Sequence, residues 1–233
     1  KTLITPESKL PLFNGVNEVS TEKFEDYLVN LNLKIKKVKS PIGDIVILKN
    51  KKDAVYIDVG GPPKKIHSNN YQLGPLSFEY FFEGEKIITN CGYGSKISKK
   101  AEKLSRLSSA QSTITLNNES VIKKDEIFNY KNSFKIYDTE FINDDTKMIC
   151  VASHDAYYKK FGCKIKRQIE LNKKDGNVYG SDEFIFDSTS ENIFYDIRFH
   201  LYPEIQVIKT MSGENYLIQF NKNKSLLFSS DSI

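Results

Sequence analysis

The sequence predicts an all-β protein, a large antiparallel β-sandwich with one short helix near the N-terminus. Three observations lead there. Short apolar stretches with period-two alternation recur along the chain, and polar or glycine-bearing turn chemistry separates them. The 13 Tyr and 15 Phe are spread over the whole length, as expected where many strands each contribute to a buried face. At 233 residues and 39% hydrophobic content the chain is long enough for a substantial core, which argues against disorder.

The first thirty residues read as a linker followed by the short helix. Pro6, Pro11 and Gly15 make the beginning turn-rich, with 10–15 as a lead-in strand or linker. From 21 to 30, Phe24, Tyr27 and Leu28 fall at i, i+3, i+4, and Ser20 or Thr21 can cap the start. From 31 onward strands are expected at 31–38, 43–48, 54–59, 76–82, 86–90 and 113–116. Glu83-Gly84-Glu85 joins two of them as a hairpin would. Residues 99–106 form a second helical candidate, read as a surface turn. Further strands are expected at 134–137, 148–153, 164–171, 183–186, 192–201, 205–209 and 216–220, with turns at 173–177 and 212–215. Within 192–201 the alternation is strict: Ile193, Tyr195, Ile197, Phe199 and Leu201 share one face, Asp196, Arg198 and His200 the other. So many short strands at regular spacing point to a sandwich of large sheets, a single unit over 31–233.

Charge excludes several functions. The formal net charge is +4, but Lys and Arg interleave with Asp and Glu, so no basic stripe of the nucleic-acid type emerges. Lys34, Lys36 and Lys37 alternate with Leu33, Ile35 and Val38 and read as a solvated strand face. No apolar run approaches the ~20 residues that span a bilayer, and the first residues do not read as a signal peptide. The chain opens at Lys1 and closes at Ile233, as a piece of a longer protein would. Cys91, Cys150 and Cys163 show no CxxC spacing, which signals neither a disulfide framework nor a zinc knuckle, and buried free thiols are expected. Gly60-Gly61-Pro62-Pro63 is a turn, not a phosphate cradle, and Ser108, Ser109 and Ser112 lack the elbow of a serine hydrolase. Of the three histidines, His67 lies in a loop, His154 precedes Asp155 and suits a structural hydrogen bond, and His200 sits beside Arg198 in a packing position.

A run of short motifs has a familiar order: Asp58-Val59-Gly60-Gly61-Pro62-Pro63, Leu76-Ser77-Phe78-Glu79, Asn90-Cys91-Gly92, then Arg106 followed by Ser109-Ala110-Gln111-Ser112-Thr113. His154-Asp155-Ala156-Tyr157, residues 166–171 and residues 198–203 continue it. In order and spacing these resemble the heparinase II/III family of polysaccharide lyases over about 10–228. The resemblance implies a β-sandwich that follows an N-terminal α/α toroid, not contained in this chain, and cleavage of acidic, uronate-containing polysaccharides by β-elimination. It also implies a periplasmic address, and catalytic Tyr and His carried mainly by the toroid. Family sandwiches can hold a zinc ion with imidazoles and a carboxylate near the cleft. The matching positions here read Asn70, Gln72 and Gly74, then Asn90, then Gln111. Neutral amides are poor zinc ligands and carry no proton near neutrality, so neither a metal nor a cofactor is expected at them.

Amides do suit sugar hydroxyls. Asn70, Gln72, Asn90, Arg106 and Gln111 are therefore the candidate substrate-binding residues. Arg106 either meets a substrate carboxylate or braces the loop, and the amides are either sugar contacts or ordinary loop polar groups. His67 is a candidate stand-in for a lost imidazole and Tyr93 for a sugar-stacking platform. No catalytic residue is assigned. The alternative reading is a non-catalytic carbohydrate-binding or structural member.

Overall fold

The computed structural model describes residues 1–33, 38, 40–63, 68–122, 134–187 and 192–231. It is a β-sandwich. One layer is a five-stranded antiparallel sheet in the order β1 (Ile45–Lys49), β2 (Ala54–Asp58), β3 (Phe78–Phe82), β4 (Glu85–Thr89) and β11 (His200–Leu201). The facing layer holds a four-stranded sheet, β6 (Ile136–Asn143), β7 (Lys147–Tyr157), β8 (Cys163–Asn172) and β9 (Val178–Phe186). A three-stranded sheet, β12 (Gln206–Lys209), β13 (Asn215–Asn221) and β14 (Lys224–Ser229), packs against the same core. β5 (Ile114–Leu116) pairs with β10 (Tyr195–Ile197).

Period-two alternation decides which side chains meet. Val46, Leu48, Val55, Ile57, Phe78, Tyr80 and Ile87 point into the sandwich and meet Met148, Cys150, Ile169, Leu171 and Ile218. Phe82 stacks edge-on against Phe220, and Phe199 against Phe228, which ties β13 and β14 to the first sheet. Glu83 (φ 49°) and Gly84 (φ 86°) form a two-residue turn between β3 and β4, with both residues left-handed as a tight hairpin requires.

The outer face of the five-stranded sheet is also apolar. Ile47, Ala54, Tyr56 and Phe81 are covered by Leu3 and Phe13 of the N-terminal segment. The Tyr56 hydroxyl donates to the Ile4 carbonyl at 3.0 Å, and Asn14 Nδ2 donates to Asp58 Oδ2 at 2.8 Å. The stretch expected to be a linker thus lies packed on the sheet.

Several elements differ from expectation. The first helix, α1 (Glu22–Asn30), forms, and of the two expected caps it is Ser20 whose hydroxyl accepts from the Glu22 N–H at 3.3 Å, while the Thr21 hydroxyl donates to the Ser8 carbonyl instead. Of the helix's apolar stripe, Phe24 and Tyr27 face solvent at 50% and 59% exposure, while Leu28 is half-buried. Residues 99–106 are not a surface turn. They contain α2 (Lys99–Ser105), capped by Ser98, whose side chain accepts from the Ala101 N–H. The continuous strand expected at 192–201 is broken: β10 pairs with β5 and β11 with β4. At the break the Arg198 N–H donates to the Thr113 carbonyl and the His200 N–H to Ser112 Oγ, so the chain passes from one partner to the next. A further short helix, α3 (Tyr158–Phe161), joins β7 to β8. Of the cysteines, Cys150 and Cys163 are buried and Cys91 is exposed. The strand expected at 31–38, with Lys34, Lys36 and Lys37, lies largely outside the described residues, as does His67.

Candidate functional site

Where β2 and β4 finish and β3 begins, the loops over 68–77, 90–93 and 105–113 fold across one another. Hydrogen bonds hold them together. Gln72 Oε1 accepts from the Gly15 N–H at 2.9 Å, while its Nε2 donates to the carbonyls of Gly92 at 2.6 Å and Ser105 at 2.8 Å. Gln111 Nε2 donates to the same Ser105 carbonyl at 2.8 Å. One backbone oxygen at the end of α2 thereby joins two amides from distant parts of the chain. Gly74 lies so close to Gln111 that a Cβ there would stand 2.8 Å from its Cγ, so only glycine admits this approach.

Asn90 extends the network. Its Oδ1 accepts from the Ser112 N–H at 2.8 Å and its own N–H donates to Glu79 Oε1 at 3.2 Å. Glu79 is fully buried beside Lys86, 3.2 Å away, and also accepts from Thr89 Oγ1. Burial pushes the Glu79 carboxyl up, and the Lys86 ammonium pulls it back. Ser112 is the hub: its hydroxyl donates to the Thr89 carbonyl at 2.7 Å and accepts from the His200 N–H at 2.9 Å.

Arg106 donates from Nε to the Tyr71 carbonyl at 3.2 Å and from Nη2 to the Ser68 carbonyl at 3.0 Å. Of its two expected roles, the structure displays the brace. Arg167 performs a similar task from the other layer. Its guanidinium grips Asp182 with two bonds of 2.7 and 2.9 Å and donates through Nη1 to the Leu76 carbonyl at 3.0 Å.

Gln72, Asn90, Arg106 and Gln111 are 1–3% exposed, and the first, second and fourth meet around Ser105 and Ser112. In this arrangement they hold loops and do not reach solvent. Asn70 alone of the five is exposed, its side chain against Gly15. Tyr93 is not an open platform: it is 9% exposed and its hydroxyl donates to Glu102 Oε1 at 2.6 Å. His154 is buried and does not pair with Asp155, whose Oδ1 accepts from the Lys135 N–H; His154 Nδ1 accepts from the Ala156 N–H at 3.3 Å instead. Burial, with the Arg167 charge behind it, lowers its pKa to about 3, so the imidazole is neutral. His200 Nε2 lies 3.0 Å from the Ser109 carbonyl oxygen.

A metal does not fit the amide cluster. Both glutamine Nε2 groups aim N–H at a carbonyl, and Asn90 Nδ2 is buried with no acceptor among the described residues. The Ser112 N–H fixes that amide's orientation, because a flipped Asn90 would set donor against donor. A cation needs lone pairs where this cluster presents protons.

Glu79, Ser112 and Arg167 stood in the motifs without a role assigned to them, and Lys86 was not singled out at all. Arg167 had a signal: it occupies the inward phase of β8 with Cys163, Ile165, Ile169 and Leu171. An arginine in the core phase of a strand needs a buried partner.

The chain matches no curated protein in sequence. Among solved structures it is similar to a heparan sulfate lyase, HepC, from Pedobacter heparinus, with TM-score 0.71 for a mutant at 12% identity, covering 93% of this chain and 35% of that one. It is also similar to a heparinase III, the BT4657 gene product, with TM-score 0.69 at 14% identity, covering 94% and 36%. A further heparinase III gives TM-score 0.60 at 12% identity, covering 93% and 39%. The chain thus spans little more than a third of the length of the structures it matches. Several of the residues that carried the resemblance are gathered at the hub: Asn90, Gln111, Ser112 and Glu79. Residues 38–232 match the family model described as heparinase II/III-like, C-terminal, and the chain belongs to that family.

Proposed function

We propose that this chain is the β-sandwich portion of a polysaccharide lyase that acts by β-elimination on acidic, uronate-containing glycans, with its braced loop end forming one wall of the cleft. The observation that carries this reading is the loop cluster itself, a set of loops within the family match held together by buried amides and Arg106. Asn70, the exposed member, is the group proposed to touch sugar. Gln72, Asn90, Gln111 and Arg106 position the loops around it.

β-Elimination needs a base to remove the proton beside the uronate carboxylate and an acid for the leaving oxygen. Among the described residues of the loop cluster no group suits either task, since His154 is buried and neutral and His200 faces a carbonyl. The base and acid are therefore assigned to a helical toroid preceding this chain in a longer protein. The test is expression of the longer protein and of this chain, each mixed with heparan sulfate, with unsaturated uronate followed by its ultraviolet absorbance. Product from the longer protein and none from this chain is expected. Glycan binding by the longer protein without product would favour the second reading, a non-catalytic binder, which the replacement of titratable groups by amides specifically supports.

A further inference from the structure

At the end of the sandwich away from the loop cluster, three tight turns come together: 50–53 between β1 and β2, 83–84 between β3 and β4, and 173–177 between β8 and β9. Asp53 clamps all three. Its Oδ1 accepts from the Glu83 N–H and its Oδ2 from Asn50 Nδ2, both at 2.7 Å, and Gly176 (φ +76°) packs its backbone directly on the carboxylate. The Tyr80 hydroxyl donates to the Gly176 carbonyl at 3.0 Å and fixes the third turn from below. Between the turns lies an open groove of about 650 Å³ with the half-buried Phe82 in its lining.

The charges in this groove are unevenly committed. Lys51, Lys52, Lys173 and Lys174 line it together with Asp53, Glu83 and Asp175. Asp53 is consumed by the turns, Glu83 pairs with Lys224, and Asp175 Oδ1 accepts from the Asn177 N–H at 3.0 Å. Lys173 is turned to the Asn143 side chain and the Asp144 carbonyl. Lys51, Lys52 and Lys174 have no carboxylate at ion-pair distance among the described residues, and Lys51, Lys52 and Lys174 are exposed.

We propose that this groove is a second glycan site, in which Lys51, Lys52 and Lys174 hold sulfate or carboxylate groups of an anionic oligosaccharide while Phe82 offers an apolar floor to a sugar ring. Cationic groups on a preformed base, beside an aromatic surface, are the recognition elements such a ligand requires, and the volume lies within the range of small-molecule sites. The ligand class is shared with the proposed function, but the site is separate. Its place is to retain a long polymer on the enzyme while another stretch is processed, so that two weak contacts act as one stronger one.

The test uses the isotope-labelled 233-residue chain titrated with a heparan sulfate tetrasaccharide, with its desulfated counterpart and with tripolyphosphate, read by amide chemical shifts and calorimetry. The tetrasaccharide should shift amides at 51–53, 83–84 and 173–176, and raising salt should weaken it. Replacing Lys51, Lys52 and Lys174 together by Gln should weaken binding about tenfold at unchanged melting temperature. Equal binding by the triple variant, no binding by the chain, or tripolyphosphate binding as tightly as the sugar would each overturn the proposal. Shifts confined to the loop cluster would also overturn it while leaving the lyase reading intact. Conversely, a longer protein without lyase activity leaves the groove untouched.

Discussion

The two ends of the sandwich solve the problem of polar groups in opposite ways. At the loop end, long connections bury Gln72, Asn90, Gln111, Arg106 and Glu79, each bonded to backbone or to a neighbouring side chain, with Asn90 Nδ2 left without an acceptor among the described residues. At the turn end, connections are as short as two residues, one carboxylate is buried, and lysines stand in solvent. The difference separates shape from charge. Buried, mutually bonded groups define a fixed surface and contribute little field, whereas exposed ammonium groups contribute field and little shape.

Substitutions can break this contrast, and Arg167→Leu should do so most severely. It strands the Asp182 carboxylate, which is 10% exposed, and removes the donor to Leu76, so a loss of about 3–5 kcal/mol is expected in urea denaturation. Arg167→Leu combined with Asp182→Leu should recover part of that loss. Next, Gln72→Leu leaves the Gly15 N–H and the Gly92 carbonyl without partners and should cost about 2–4 kcal/mol. Chelator should leave the melting temperature of the unaltered protein where it is, because the cluster offers donors where a metal needs acceptors. A fall on adding chelator would contradict that reading of the loop end.

The pH response sharpens the comparison further. Burial pushes the Asp58 carboxyl from 3.8 up to about 7, with nearby Asp44 adding to the rise and the bonds from the Gly60 N–H and Asn14 opposing it. The folded state then holds a proton that the unfolded state releases, so this group makes stability fall as pH climbs from about 4 to about 7. His154 acts in the opposite sense. Its folded pKa of about 3 lies below 6.5, so it makes stability rise over that interval. The two offset each other between about pH 4 and 6.5. Relative to the unaltered protein, Asp58→Asn should tilt the melting-temperature profile upward with pH across that window and His154→Gln should tilt it downward; identical profiles for both variants would refute the assignment. The smallest effect belongs to the turn end: Lys51→Gln or Lys174→Gln alone should change stability by no more than about 0.5 kcal/mol.

Much of the fold was legible because strand alternation is a local signal. The hairpins around Glu83-Gly84 and Lys173–Asn177 needed only neighbouring residues to declare themselves. Strands with one polar, half-exposed phase were harder. β9 begins at Val178 although only 183–186 shows a clear apolar pattern, and β14 escaped notice because Lys224 and Ser225 dilute its first half. The break in 192–201 was invisible, since alternation continues through it and only the change of pairing partner marks it. In the loop cluster the positions came from family resemblance, but their burial did not. Gln72 is enclosed by Gly15, Gly92 and Ser105, contacts no local window contains.

The strip of chain that seals the outer face of the first sheet bears on where this protein can be cut. The family match begins at residue 38, yet Leu3 and Phe13 pack in the cluster with Tyr56 and Phe81, beside Ile42 and Ile45. A shortened version starting at the family boundary would lose Leu3 and Phe13 and present more of that aromatic surface to water, which invites self-association. The segment ahead of the family match therefore belongs to the same packed body as the sheet it covers.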